Sequence, residues 1–247
     1  MRSMRLVVAF GALLAAPAVA QTVAGPQDLV ARLARAAADK DLATIEASLA
    51  PGFVALACST NPLKPCAPGA AKPIGARSAA AGARLRWALC CAGAAGDAPT
   101  RAEQDETLFA LLGATLANAG LGPNPDDGSA ICAPPPPAFD RKGAARLARV
   151  AGTEPENLRM AARAMALRAT PDVAAPIAHT LAPGAVVALA TDLTRDMGPG
   201  WTAVVTGKGS VSYANTPDLE ELTPMALCFK KTGAGWTAAY LIQRVTP

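Results

Sequence analysis

Histidine is almost missing from this chain: His179 is the only one in 247 residues. The commonest general base and the commonest metal ligand are thereby reduced to a single ring. No serine-containing elbow, HExxH, CxxC or phosphate-binding glycine loop makes up for it. Paired acids occur at Asp126-Asp127 and Glu220-Glu221, but both sit near prolines and read as solvated turns. The expectation is a protein with no catalytic residues, no bound metal and no cofactor. Aromatic residues are only 4% of the chain, while 51% is hydrophobic, much of it alanine, so the core must be assembled from small side chains.

Long apolar runs are scarce as well. The one at residues 6–16 follows Arg2 and Arg5 and leads to Ala18-Val19-Ala20, the small-x-small pattern that signal peptidase cuts. It is too short for a permanent bilayer span, and no later run qualifies. Residues 1–20 therefore read as a signal peptide cleaved near Ala20-Gln21, and the mature protein as periplasmic or secreted. Removing residues 1–20 takes two of the 23 Lys+Arg and leaves 21 against 19 Asp+Glu. Such a near-neutral balance exerts no strong pull on nucleic acid or anionic membrane.

Six cysteines, Cys58, Cys66, Cys90, Cys91, Cys132 and Cys228, read as disulfides in an exported chain rather than as metal ligands or nucleophiles. Sequence alone allows fifteen pairings. Cys58 with Cys66 is the most local, and one member of the Cys90-Cys91 pair can reach Cys132. Cys228 stands alone in the last third, so complete pairing needs a bridge from the first part of the chain to the last.

Apolar spacing predicts a helix with Leu29, Val30, Leu33, Ala36 and Ala37 on one face. A break at Asp39-Lys40-Asp41 precedes a second helix carrying Leu42, Ile45 and Leu49, and FVALAC (53–58) then reads as a strand. Residues 59–82 are proline- and glycine-rich and predict a loop. Helices follow over 83–91 and 101–119, the second with a stripe of Leu108, Leu111, Leu112 and Leu116. Residues 122–137 read as a proline-locked linker ending in polyproline II. Residues 139–150 fit a short strand or helix, and Thr153-x-x-Glu156 predicts a capped helix over 158–165. Arg141, Lys142, Arg146, Arg149, Arg159, Arg163 and Arg168 give this connector a basic bias. A solvated surface is its plain interpretation, and an anionic cell-wall polymer its sharper one.

After it come ALRA (166–169), PIAHTL (176–181), AVVALAT (185–191), WTAVVT (201–206), ALCFKK (226–231) and WTAAYLI (236–242), short β-rich runs punctuated by turns. The expected architecture is α+β: a mainly helical domain over 21–121, a linker over 122–164 and a small closed barrel over 165–247.

The order Leu167-Arg168-Ala169, Thr170-Pro171, IAHTLAPGAVV, then Gly200-Trp201 and Gly235-Trp236 opening strands, with Tyr240-Leu241 ending the last, resembles a bacterial SH3-like (SH3b) domain over 166–242. The segment 207–225 departs from it as an insertion where that family has a brief hairpin. The helix, DKD break, helix and strand over 26–58 resemble the start of the cone-shaped SnoaL and nuclear-transport-factor-like fold. The SH3-like resemblance implies a binding module of the cell envelope whose partner is peptidoglycan, a peptide or an envelope protein. Its contact candidates are Tyr213, Trp201 and Tyr240, with Trp236 assigned to the core. The second resemblance implies an alternative, a small-ligand pocket in the first domain, which demands several long strands between residues 53 and 150.

Overall fold

The computed structural model describes residues 25–75, 79–92, 99–117, 119–194, 197 and 199–244. The expected signal peptide lies outside them.

The first two helices form where the apolar spacing put them, except that Leu49, expected on the second, opens the following strand, which runs over Leu49–Cys58 rather than from residue 53. Helix α1 (Pro26–Ala38) has proline in its first turn and buries Leu29, Val30, Leu33, Ala36 and Ala37. It stops before Lys40, whose φ of 56° turns the chain, and Asp41 caps α2 (Leu42–Ala47) by accepting the Thr44 N–H at 3.0 Å. Helix α3 (Ala81–Cys91) and helix α4 (Arg101–Leu116) follow, α4 opened by a Thr100–Glu103 capping box. The loop expected over 59–82 contains one short strand.

Strands β1 (Leu49–Cys58), β2 (Lys72–Ile74), β3 (Gly122–Asn124), β4 (Asp127–Ala133), β12 (Ala226–Thr232) and β13 (Gly235–Arg244) make a first sheet ordered β2-β1-β13-β12-β4-β3. Only β1 and β13 run parallel in it. Helices α1, α3 and α4 cover one face through Leu33, Phe53, Leu85, Leu108, Phe229 and Leu241. The other face buries Leu56, Cys58, Cys132, Cys228, Tyr240 and Ile242 beneath the 59–71 loop.

A second sheet is inserted between β4 and β12. Helix α5 (Arg141–Ala151) leads to β5 (Leu158–Ala161), β6 (Met165–Arg168), β7 (Ile177–Leu181), β8 (Val186–Leu189), β9 (Trp201–Val205), β10 (Val211–Asn215) and β11 (Leu219–Glu221). Their order is β11-β5-β8-β9-β10-β6-β7, with every pairing antiparallel. The inner face packs Ala161, Met165, Leu167, Val187, Val204 and Ala214, and α5 covers the outer face with Ala144, Leu147 and Ala148.

This overturns the expected architecture of a mainly helical domain followed by an SH3-like barrel. Strands dominate, and the residues assigned to one barrel are divided between two sheets of six and seven strands. The physical reason is burial. In β12 and β13, Leu227, Phe229, Ala238 and Leu241 face the helices, while Ala226, Cys228, Tyr240 and Ile242 face the opposite core. A strand apolar on both sides fits only the middle of a sheet covered on both faces. The expected linker is likewise a hairpin, β3–β4, and the capped helix expected over 158–165 is a single 3-10 turn, Pro155–Asn157, followed by strands β5 and β6. Leu158, Met165 and Leu167 are buried by the sheet, and that burial outweighs a local capping pattern. The 207–225 insertion supplies β10 and β11.

Three disulfides close: Cys58–Cys66, Cys90–Cys91 and Cys132–Cys228. The local pair is as expected. Cys132 takes Cys228 rather than Cys90 or Cys91, because β4 and β12 are neighbours and place the two opposite one another.

Candidate functional site: a cleft between the two sheets

A polar knot fixes how the sheets meet. Asn124 ends β3 and Asp127 begins β4, and the tight turn between them holds both acids of the Asp126-Asp127 pair inward. Tyr240, 1% exposed on β13, donates to Asp127 Oδ2 at 3.0 Å and accepts from Asn124 Nδ2 at 2.9 Å. Lys230 Nζ lies 2.9 Å from the same carboxylate and over the Tyr240 ring, and Ser129 Oγ donates to Oδ1 at 2.6 Å. Burial works to raise the Asp127 pKa, but the hydrogen bonds from Ser129, Lys230 and Tyr240 and the Lys230 charge outweigh it and hold the carboxyl at about 2. The Tyr240 phenol moves the other way: burial raises it, the Asn124 bond opposes, and the Asp127 bond and charge raise it further.

Asp126 extends the knot toward the second sheet. It accepts the Cys66 N–H at 2.8 Å, and Arg141 Nη2 of α5 lies 2.7 Å from both of its oxygens. The disulfide-clipped loop also reaches across, with Thr60 donating to Glu156 at 3.1 Å and Leu63 packing beside α5. In the sequence these two acids read as a solvated turn; the pairing of β3 with β4, which no local pattern signals, turns both carboxylates inward.

Beside the β3–β4 hairpin the two sheets leave a cleft of about 1050 Å³. One wall is the end of α4, Gly122 and the Pro134–Pro137 segment. The other is Met160 of β5 with Glu220 and Glu221 of β11; Pro224-Met225 joins the two, Met225 packing against the helix-covered core of the first sheet. An added Cβ at Gly122 would meet Pro135 Cβ at 2.8 Å, so this wall closes only around glycine. Glu221 pairs with Arg244 at 3.3 Å, whereas Glu220 has no ion-pair partner among the described residues. The arrangement suits recognition: rigid proline rings and two adaptable methionines beside an unneutralised carboxylate.

The three expected contact residues do not converge. Tyr240 is a buried tie of the first sheet and offers no contact surface. Trp201 and Tyr213 lie in the second sheet, half-buried at diagonal positions of the β9–β10 pair, with Tyr213 opposite Arg168 on β6. Trp236 packs partly buried against the helix-covered core. His179 on β7 meets Ser210 Oγ at 3.1 Å, but no described carboxylate hydrogen-bonds or ion-pairs with its ring to orient it. Among the described residues no three of histidine, cysteine, aspartate and glutamate converge to hold a metal ion, and no helix is long and apolar enough to cross a membrane.

No protein family, no curated protein and no solved structure matches this chain. The site alone therefore carries the functional argument, and neither the SH3-like nor the SnoaL-like resemblance adds to it.

Proposed function

We propose that this is an exported, non-enzymatic binding protein that acts in the periplasm or outside the cell and holds an apolar, cationic peptide segment of a partner protein in the cleft between its sheets. The observation that carries this reading is the cleft itself: Pro134–Pro137, Met160 and Met225 offer apolar walls, and Glu220 offers a free carboxylate to a lysine or arginine. Export rests on the charged and apolar start of the chain and agrees with three closed disulfides. Peptidoglycan loses its main support, since β12 and β13 leave the expected barrel. A ligand pocket beneath the first sheet's helices has none, because Phe53, Leu85, Leu108 and Phe229 fill that face at 0% exposure.

The test is calorimetric titration of residues 21–247 with alanine- and leucine-rich peptides that carry or lack one lysine. Tighter binding of the lysine-bearing peptide is expected, with a loss of about tenfold in Glu220→Gln and more in Met225→Arg, which fills the cleft. Equal affinity in wild type and Met225→Arg would remove the cleft. Salt-resistant retention on peptidoglycan sacculi by both proteins would restore the wall polymer instead.

A further inference from the structure

We propose that the outer face of α5, extended by the β9–β10 turn, is a docking surface for an anionic phospholipid bilayer. Helix α5 spends one side on the second sheet through Ala144, Leu147 and Ala148. Lys142, Arg146 and Arg149 stand exposed on its other side, at spacings of four and three that put all three on one helical face. At the helical rise they form a row about 10 Å long. The neighbouring cations are spent: Arg141 on Asp126 and Arg163 on Asp218. Lys142, Arg146 and Arg149 have no ion-pair partner among the described residues.

The row continues off the helix. Gly209 in the β9–β10 turn lies against Val150, where an added Cβ would stand 3.5 Å from Val150 Cγ1, and exposed Lys208 precedes it in the same turn. Val150 is 52% exposed and Val211 44%, so two apolar side chains border the cationic end of the patch. Asp140 caps the Lys142 N–H at 3.0 Å at the start of the helix, and its single negative charge stands against the four cations Lys142, Arg146, Arg149 and Lys208. The near-neutral overall balance conceals this local concentration. Charge alone would suit any polyanion; exposed valines among the cations are what a headgroup layer covers and a soluble polyanion does not.

Residues 21–247 are to be sedimented with phosphatidylcholine vesicles with and without phosphatidylglycerol, at low and physiological salt. Partitioning onto the phosphatidylglycerol vesicles alone, weakened by salt, is expected. The triple variant K142Q/R146Q/R149Q should lose about a hundredfold in partitioning, several-fold per cation, with an unchanged melting temperature because the replaced side chains are exposed and unpaired. V150S/V211S should lose a further few-fold. Failure of the wild type to partition, or equal partitioning by the triple variant, overturns the proposal. Binding of soluble polyphosphate as tight as that of the vesicles, with V150S/V211S indistinguishable from wild type, overturns it in favour of a polyanion site.

Discussion

Tyr240 shows how much of the architecture hangs on single polar atoms. Its hydroxyl joins Asn124 and Asp127 across the β3–β4 turn at a place with 1% exposure. Tyr240→Phe leaves both partners short of a buried hydrogen bond and should cost about 1–3 kcal/mol at neutral pH. Urea unfolding measures it, and an unchanged midpoint would show the knot to be incidental. The pH dependence has two signs. Asp127 titrates lower in the folded chain than its ordinary value of 3.8, so its contribution, roughly 2 kcal/mol at most, is complete above that value and lost as pH falls toward about 2. Tyr240 titrates higher than its ordinary value of 10.0, so its contribution is complete below that value and lost as pH rises through the alkaline range. Stability should fall off on both sides of that interval, and Tyr240→Phe should flatten the alkaline side.

At the scale of elements, local pattern and distant pairing had different legibility. The i, i+3, i+4 spacing of Leu29, Val30 and Leu33 is complete within one helix, and so is the expected stripe of α4, of which Leu108, Leu112 and Leu116 are buried while Leu111 stands exposed; both helices lie where the spacing put them. The Ile177–Leu181, Val186–Leu189 and Trp201–Val205 strands were equally legible as strands. Their partners were not, because a strand's neighbour is set by burial far along the chain. The clue lay in ALCFKK and AAYLI, which lack the apolar-polar alternation of a half-exposed barrel strand and belong between two covered faces. Residues 122–137 failed for the opposite reason: two prolines, Pro123 and Pro125, enter or flank β3, where the exposed edge of the sheet tolerates a missing N–H. The cleft, which draws its walls from four separated segments, left no trace in any one of them. Its narrowest wall gives an element-scale prediction. Gly122→Ala drives a methyl into Pro135 and should destabilise the protein by about 1–3 kcal/mol while displacing the Pro134–Pro137 wall. Thermal unfolding measures the first effect and peptide affinity the second; a variant as stable and as tight as wild type would mean that the wall yields freely.

Across the whole molecule, the second sheet is an excursion from the first, and the Cys132–Cys228 disulfide closes its neck over a separation of 96 residues. Both cysteines are fully buried on adjacent strands. Closing a loop of that length removes about 4–5 kcal/mol of chain entropy from the unfolded state. Replacing both cysteines with alanine should lower Tm by well over ten degrees in a calorimetric scan, and a shift of only a degree or two would show that sheet packing alone holds the neck. The strand order bears on how such a chain is made. Strand β13 lies between β1 and β12, yet it leaves the ribosome after every other described strand. Until it arrives, β1 has only the three-residue β2 beside it, and α1, α3 and α4 have half a sheet to cover. The native core of this protein is therefore closed by the last of its described strands, which keeps the preceding chain open and threadable until that strand joins it.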